Sequence, residues 1–76
     1  MLKYIRFKNF GFVIFEKTQK HSDVVKLIDD EILSGGFVGV PLEEDVERLA
    51  CFGEAQSIHK SVQEGDSLAI RRRFVT

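Results

Sequence analysis

The stretch "LKYIRFKNFGFVIFE", residues 2–16, constrains the fold more than any other part of the chain. Residues 2–8 alternate: Ile5 and Phe7 point one way, and Tyr4, Arg6 and Lys8 the other. That is the period of a half-buried strand. "KNFG" at 8–11 supplies a turn, because Asn and Gly both tolerate positive φ. "FGFVIFE" at 10–16 is apolar on both sides, with Phe10, Phe12 and Ile14 on one and Val13 and Phe15 on the other. Two such runs around a short turn predict a β-hairpin. The second strand needs cover on both faces, so it is expected at the centre of a sheet or against a partner subunit.

The polar run "EKTQKH" at 16–21 is expected to be a loop. In "SDVVKLIDDEILSGG", Ser22 is a good N-cap and Asp23 suits the positive end of a helix dipole. Val24, Leu27, Ile28 and Ile32 recur at helical spacing, and Gly35 stands where a terminating glycine belongs. This predicts an amphipathic helix over 22–33. "GFVGV" at 36–40, flanked by Gly35 and Pro41, predicts a third strand.

Residues 41–53, "PLEEDVERLACFG", allow two readings. One is a helix opened by proline and stopped by Gly53. The other is a loop "PLEED" followed by a strand "VERLACF", which would complete a second hairpin with "GFVGV". The strand reading is preferred, because the helical stripe is only Val46, Leu49 and Ala50. "GEAQSIHKS" is expected to be a loop or a short strand. In "SVQEGDSLAIRRRF" a C-terminal helix is favoured over a strand from 68 to 75. Ser61 and Glu64 have capping-box spacing, and Asp66 is a second possible cap.

The expected fold is therefore α+β, a small β-β-α-β-β-α domain over residues 1–76, with an antiparallel sheet and two helices on one face. A domain this small buries only ~60% of the surface its unfolded chain exposes. With one cysteine, no internal disulfide is possible, so stability must come from a tight core, an oligomer or both. A net charge of −1 disfavours a globally basic nucleic-acid binder. The longest apolar run, "FVIF" at 12–15, is far short of the roughly 20 residues of a membrane span. The N-terminus is broken by Lys3, Arg6 and Lys8 and does not resemble a signal peptide. The expected compartment is a reducing cytoplasm, bacterial or phage in general character.

The stretch "LACFGEAQSIHK" at 49–60 brings Cys51, His59 and Glu54 close in sequence. Nucleophilic catalysis by cysteine needs a base beside the thiolate. Cys51 and His59 would be about 26 Å apart on one strand, at roughly 3.3 Å per residue. On a helix they would be about 12 Å apart by rise. The flanks of Cys51 suit a small buried hydrophobe. His21 is expected to be an exposed loop side chain. The spacing of His21, Cys51 and His59 matches no zinc pattern. The acidic groups at 29–31 and 43–45 are expected on a solvated surface, and the glycines of "SGGFVGV" do not form a phosphate loop. No catalytic residue, metal or cofactor is expected.

Two features point to a partner. Arg71, Arg72 and Arg73 are the most concentrated charge, suited to a helix C-terminus or to an anionic surface. Phe10 and Phe12, with Phe7 and Phe15, put more apolar area in one hairpin than a single helix covers, which marks an interface unless the C-terminal helix covers the second face. The expected role is a small cytosolic protein-interaction or regulatory module that self-associates and has no enzyme activity. A nucleic-acid accessory role for Arg71–Arg73 is the alternative, and an enzyme using Cys51 a distant third.

Overall fold

The computed structural model describes residues 2–39 and 50–74. The hairpin of residues 2–16 is present as β1 (Leu2–Phe7) and β2 (Gly11–Glu16), in register from Leu2 opposite Glu16 to Phe7 opposite Gly11. Gly11 adopts φ +97, as the turn requires. A short helix α1 (His21–Val25) follows, then β3 (Ile32–Gly39) and β4 (Ala50–Phe52). The four strands form an antiparallel sheet in the order β2-β1-β3-β4. A two-stranded sheet of β5 (Glu54–Ala55) and β6 (Lys60–Ser61), joined by a 3₁₀ turn over Gln56–Ile58, precedes the last helix α2 (Asp66–Phe74). The fold is a small α+β domain with an antiparallel sheet and two helices.

The helices are divided between the two faces instead of sharing one. Val24 of α1 packs with Ile5 and Phe7, joined by Val13, Phe15, Ile28, Ile32 and Ile58. Ile70 of α2 packs with Tyr4 and Val38, joined by Leu2, Phe12, Ile14, Cys51 and Val62. Alternation along β1 sends Tyr4 and Ile5 to opposite sides, so both faces of the sheet are core. Strand β1 is therefore a central strand, like β3, with Tyr4 and Ile5 both fully buried, and β2 lies at an edge. The expectation of a central second strand reverses because the side of β1 carrying Tyr4 and Arg6 is buried despite its polar groups.

The helix expected over 22–33 is only five residues long. It starts at His21 on an N-cap residue, Lys20, that makes no side-chain cap bond. Leu27, which helical spacing placed on the buried stripe, is 81% exposed. Ile32 instead opens β3 and pairs with Phe7. The loop between is held by Asp30, whose carboxylate accepts hydrogen bonds from the amides of Asn9, Phe10 and Glu31 and from Asn9 Nδ2. The Lys8 amide donates to the Glu31 carbonyl at 2.8 Å. These bonds and the ladder to β1 outcompete a helical periodicity carried by four residues. Gly35 consequently lies inside β3, not at a helix terminus.

The third strand begins at Ile32, four residues earlier than its sequence signal. The strand reading of 46–52 agrees with β4 over its described part, Ala50–Phe52, where Phe37 pairs with Phe52 and Val38 with Cys51. Residues 41–49, including "PLEED" and the acidic group 43–45, lie outside the described residues. Helix α2 starts at Asp66, so Ser61 and Glu64 do not cap it, and Ser61 belongs to β6. Gly36 permits a close crossing over β3. A Cβ there would meet the Phe52 carbonyl oxygen and Val62 Cγ2, each at 2.8 Å.

Replacing Gly36 by alanine should therefore cost about 1–3 kcal/mol, as overpacking does. The same change at Gly39, where among the described residues a Cβ meets nothing nearer than 3.6 Å, should be near neutral. Urea denaturation of the two variants checks the difference.

Candidate functional site

The most concentrated polar chemistry is inside the fold. Asp66, at the start of α2, is fully buried. Its carboxylate accepts from the Tyr4 hydroxyl at 2.6 Å, Arg6 Nη1 at 3.1 Å and the Gln63 amide at 3.1 Å. Burial alone would push this carboxyl up, but the Ser34 and Tyr4 hydroxyls, the Gln63 amide and Arg6 outweigh it and hold it below the usual range. Ser34 Oγ is buried and influences the carboxylate without reaching hydrogen-bond geometry. Burial and the bond to Asp66 push the Tyr4 hydroxyl far up, so it remains a donor. This cluster is sealed by Ile70 and Val38 and joins chain positions 60 and 62 apart. It ties β1 to α2.

Arg6 extends outward from that tie. One third of its side chain is exposed, and its guanidinium lies 5.2 Å from the Phe12 ring centroid. Arg6, Lys8, Phe12, Ala69, Arg72 and Arg73 line a shallow groove of about 370 Å³ between the hairpin and α2. Of the three C-terminal arginines, Arg72 and Arg73 thus converge with Arg6 and Lys8, whereas Lys60 lines a different depression with His59. Arg73 also lies 5.4 Å from the Phe74 ring, which is 44% exposed. Arg71 is half-buried. The sequence placed the three arginines on one helix but could not show that Arg6 and Lys8 face them.

A second, wider depression of about 770 Å³ is lined by Lys3, Lys20, His21, Ser22, Phe37 and the Gly53–Ser57 region. His21 at its floor is 4% exposed, contrary to the expected loop position. Its ring stands edge-on to Phe15 at 5.2 Å and Phe37 at 6.0 Å, and Nε2 lies 2.9 Å from the Gly36 carbonyl. Burial lowers its pKa, against the backbone acceptors. Aromatic packing on both sides makes this a structural histidine.

Among the described residues of the stretch 49–60, Cys51, Glu54 and His59 stand on separate elements. Cys51 pairs across β4 with Val38, donates its amide to Ser67 Oγ at 2.9 Å, and packs against the Tyr4 cluster. Burial pushes its thiol up, away from nucleophilic reactivity. His59 sits in a left-handed turn, φ 54, after the 3₁₀ turn, and neither histidine bonds the thiol among the described residues. Phe52, next to Cys51, is 42% exposed and stacks on Phe37. Among the described residues no cluster of His, Cys, Asp and Glu has the form of a metal site. No described helix is long and apolar enough to cross a membrane.

The aromatic residues of the hairpin separate. Phe12 is half-buried against Tyr4, ring centroids 5.9 Å apart, on the side that α2 covers. Phe15 joins the α1 side. Phe10 is 65% exposed in the turn, its ring edge-on to Phe7. Among the described residues, no strand pairs with the outer edge of β2.

His21 makes stability depend on pH. The unfolded histidine takes up a proton near its ordinary 6.5, while the buried ring resists, so the unfolded chain binds more protons below that pH. Stability should fall from pH 7.5 to pH 5, and the fall should shrink in His21→Gln. Asp30 and Asp66, both held low, lose their contributions only at more acidic pH. Thermal unfolding at the two pH values checks this.

Comparison with protein-family models, characterised proteins and solved structures finds no match to this chain.

Proposed function

We propose that this is a small cytosolic protein-interaction module without catalytic activity, and that it self-associates by pairing the β2 edges of two copies. The observation that carries this reading is that, among the described residues, no strand pairs with the outer edge of β2. Strand edges in monomeric proteins are commonly blocked by lysine, proline, a bulge or a covering element. Residues 11–16, "GFVIFE", contain neither lysine nor proline, and the ladder to β1 runs without a shift along the whole strand.

Phe12, Val13, Ile14 and Phe15 are all half-buried, two on each face of the sheet. Another strand alongside would cover each of them by cross-strand packing, worth roughly 0.2–1 kcal/mol per pair beyond the backbone bonds. A second copy is the partner argued for, because an antiparallel edge pair is self-complementary about a two-fold axis. A chain of 76 residues with no disulfide gains stability from such a contact. The exposed Phe10 beside the strand adds apolar surface to the interface.

Sedimentation equilibrium across a concentration series should give a mass rising toward twice the monomer. Val13→Lys, with far-UV circular dichroism unchanged, should remain monomeric over the same range. Amides of β2 should gain protection from hydrogen exchange as concentration increases. A wild-type protein monomeric at several hundred micromolar, with β2 protection independent of concentration, overturns the proposal.

A further inference from the structure

We infer that the groove between the hairpin and α2 binds the phosphodiester backbone of single-stranded nucleic acid. This site is on the hairpin–α2 surface and shares Phe12 with β2, but its cations lie on β1, the turn after it and α2. The groove gathers Arg6, Lys8, Arg72 and Arg73, and among the described residues no acidic side chain lines it. In a chain of net charge −1 that is a marked local segregation of charge. The cations come from three parts of the chain: β1, the turn after it, and the last turn of α2.

Each cation is placed to receive an anion. Arg6 is held from behind by an ion pair to the fully buried Asp66, which fixes the guanidinium and offsets part of its charge, while a third of the side chain stays exposed. Lys8 is 3.9 Å from Glu31, but both side chains are nearly two-thirds exposed, so a phosphate can displace that weak pair. Arg72 and Arg73 are exposed, and neither has a carboxylate within ion-pair distance among the described residues. Guanidinium groups match phosphate oxygens in bidentate geometry.

Two aromatic rings favour a nucleic acid over an acidic polypeptide. Phe12 forms part of the groove wall beneath Arg6, and Phe74 is exposed beside Arg73. Basic groups interleaved with aromatic faces suit the alternation of phosphates and bases in a single strand. The groove is shallow, about 370 Å³, so a strand would lie across it with its backbone against the cations and not be enclosed.

The test is fluorescence anisotropy of the full chain with a labelled twelve-residue oligothymidylate at low salt. Saturable binding is expected, weakening with a log–log salt slope of about −2, the value for roughly three phosphates contacted on a single strand. The double substitution Arg72→Gln with Arg73→Gln should weaken binding at least ~10-fold while leaving the circular dichroism unchanged. Lys60→Gln, outside the groove, should leave binding unaltered. Lack of binding at low salt overturns the inference, as does equal binding by the double variant. Equal affinity for polyglutamate overturns it in favour of an acidic protein partner. Equal affinity for thymidine monophosphate overturns it in favour of a free phosphorylated ligand.

Discussion

The buried carboxylate of Asp66 is the constraint around which the rest of the structure is arranged. It is fully enclosed, yet it accepts donors from Tyr4, Arg6 and the Gln63 amide. An isolated buried charge would be prohibitive, but one saturated with donors can stay ionised. Because Tyr4 and Arg6 stand on the polar-looking side of β1, satisfying them there allows that side to be buried. Strand β1 thereby becomes a central strand with core on both faces, and α2 is fixed over one of them. The same tie aims Arg6 at the groove shared with Arg72 and Arg73.

This dependence also explains the division of labour between the helices. Helix α1 is too short to stabilise itself and persists through Val24 and His21, which pack against the opposite face. The acceptor-rich loop at Asp30 and the ladder from Ile32 to Gly39 hold the chain between them. Gly36 then allows the segment after β4 to cross close over β3, delivering Val62 and α2 to the Tyr4 face.

Local patterns in the sequence disclose the hairpin, the C-terminal helix and the β3–β4 pairing. Alternation in "LKYIRFK" and turn chemistry in "KNFG" act over a few residues and survive into the structure. The helical spacing of Val24, Leu27, Ile28 and Ile32 misleads, because Ile32 is claimed by β1 and Leu27 is left in solvent. The buried tie is hidden for a different reason. Asp66 is recognisable as a cap, and Tyr4 and Arg6 as neighbours on one strand face, but their contact spans about sixty residues. His21 looks like a loop residue until Phe15 and Phe37 enclose it from two other strands. The arginine run is visible in sequence, whereas its meeting with Arg6 and Lys8 is a product of tertiary packing.

A double-mutant cycle between Tyr4→Phe and Asp66→Ala, read by urea denaturation at pH 7.5, tests the central claim most directly. Removing Asp66 strands a buried hydroxyl and should cost about 2–4 kcal/mol, while Tyr4→Phe alone should cost about 1–2 kcal/mol. If the tie holds the fold together, the double variant should be more stable than the sum of the single losses predicts, by about 1 kcal/mol or more. Strict additivity, or an Asp66→Ala protein as stable as the parent, would contradict the account.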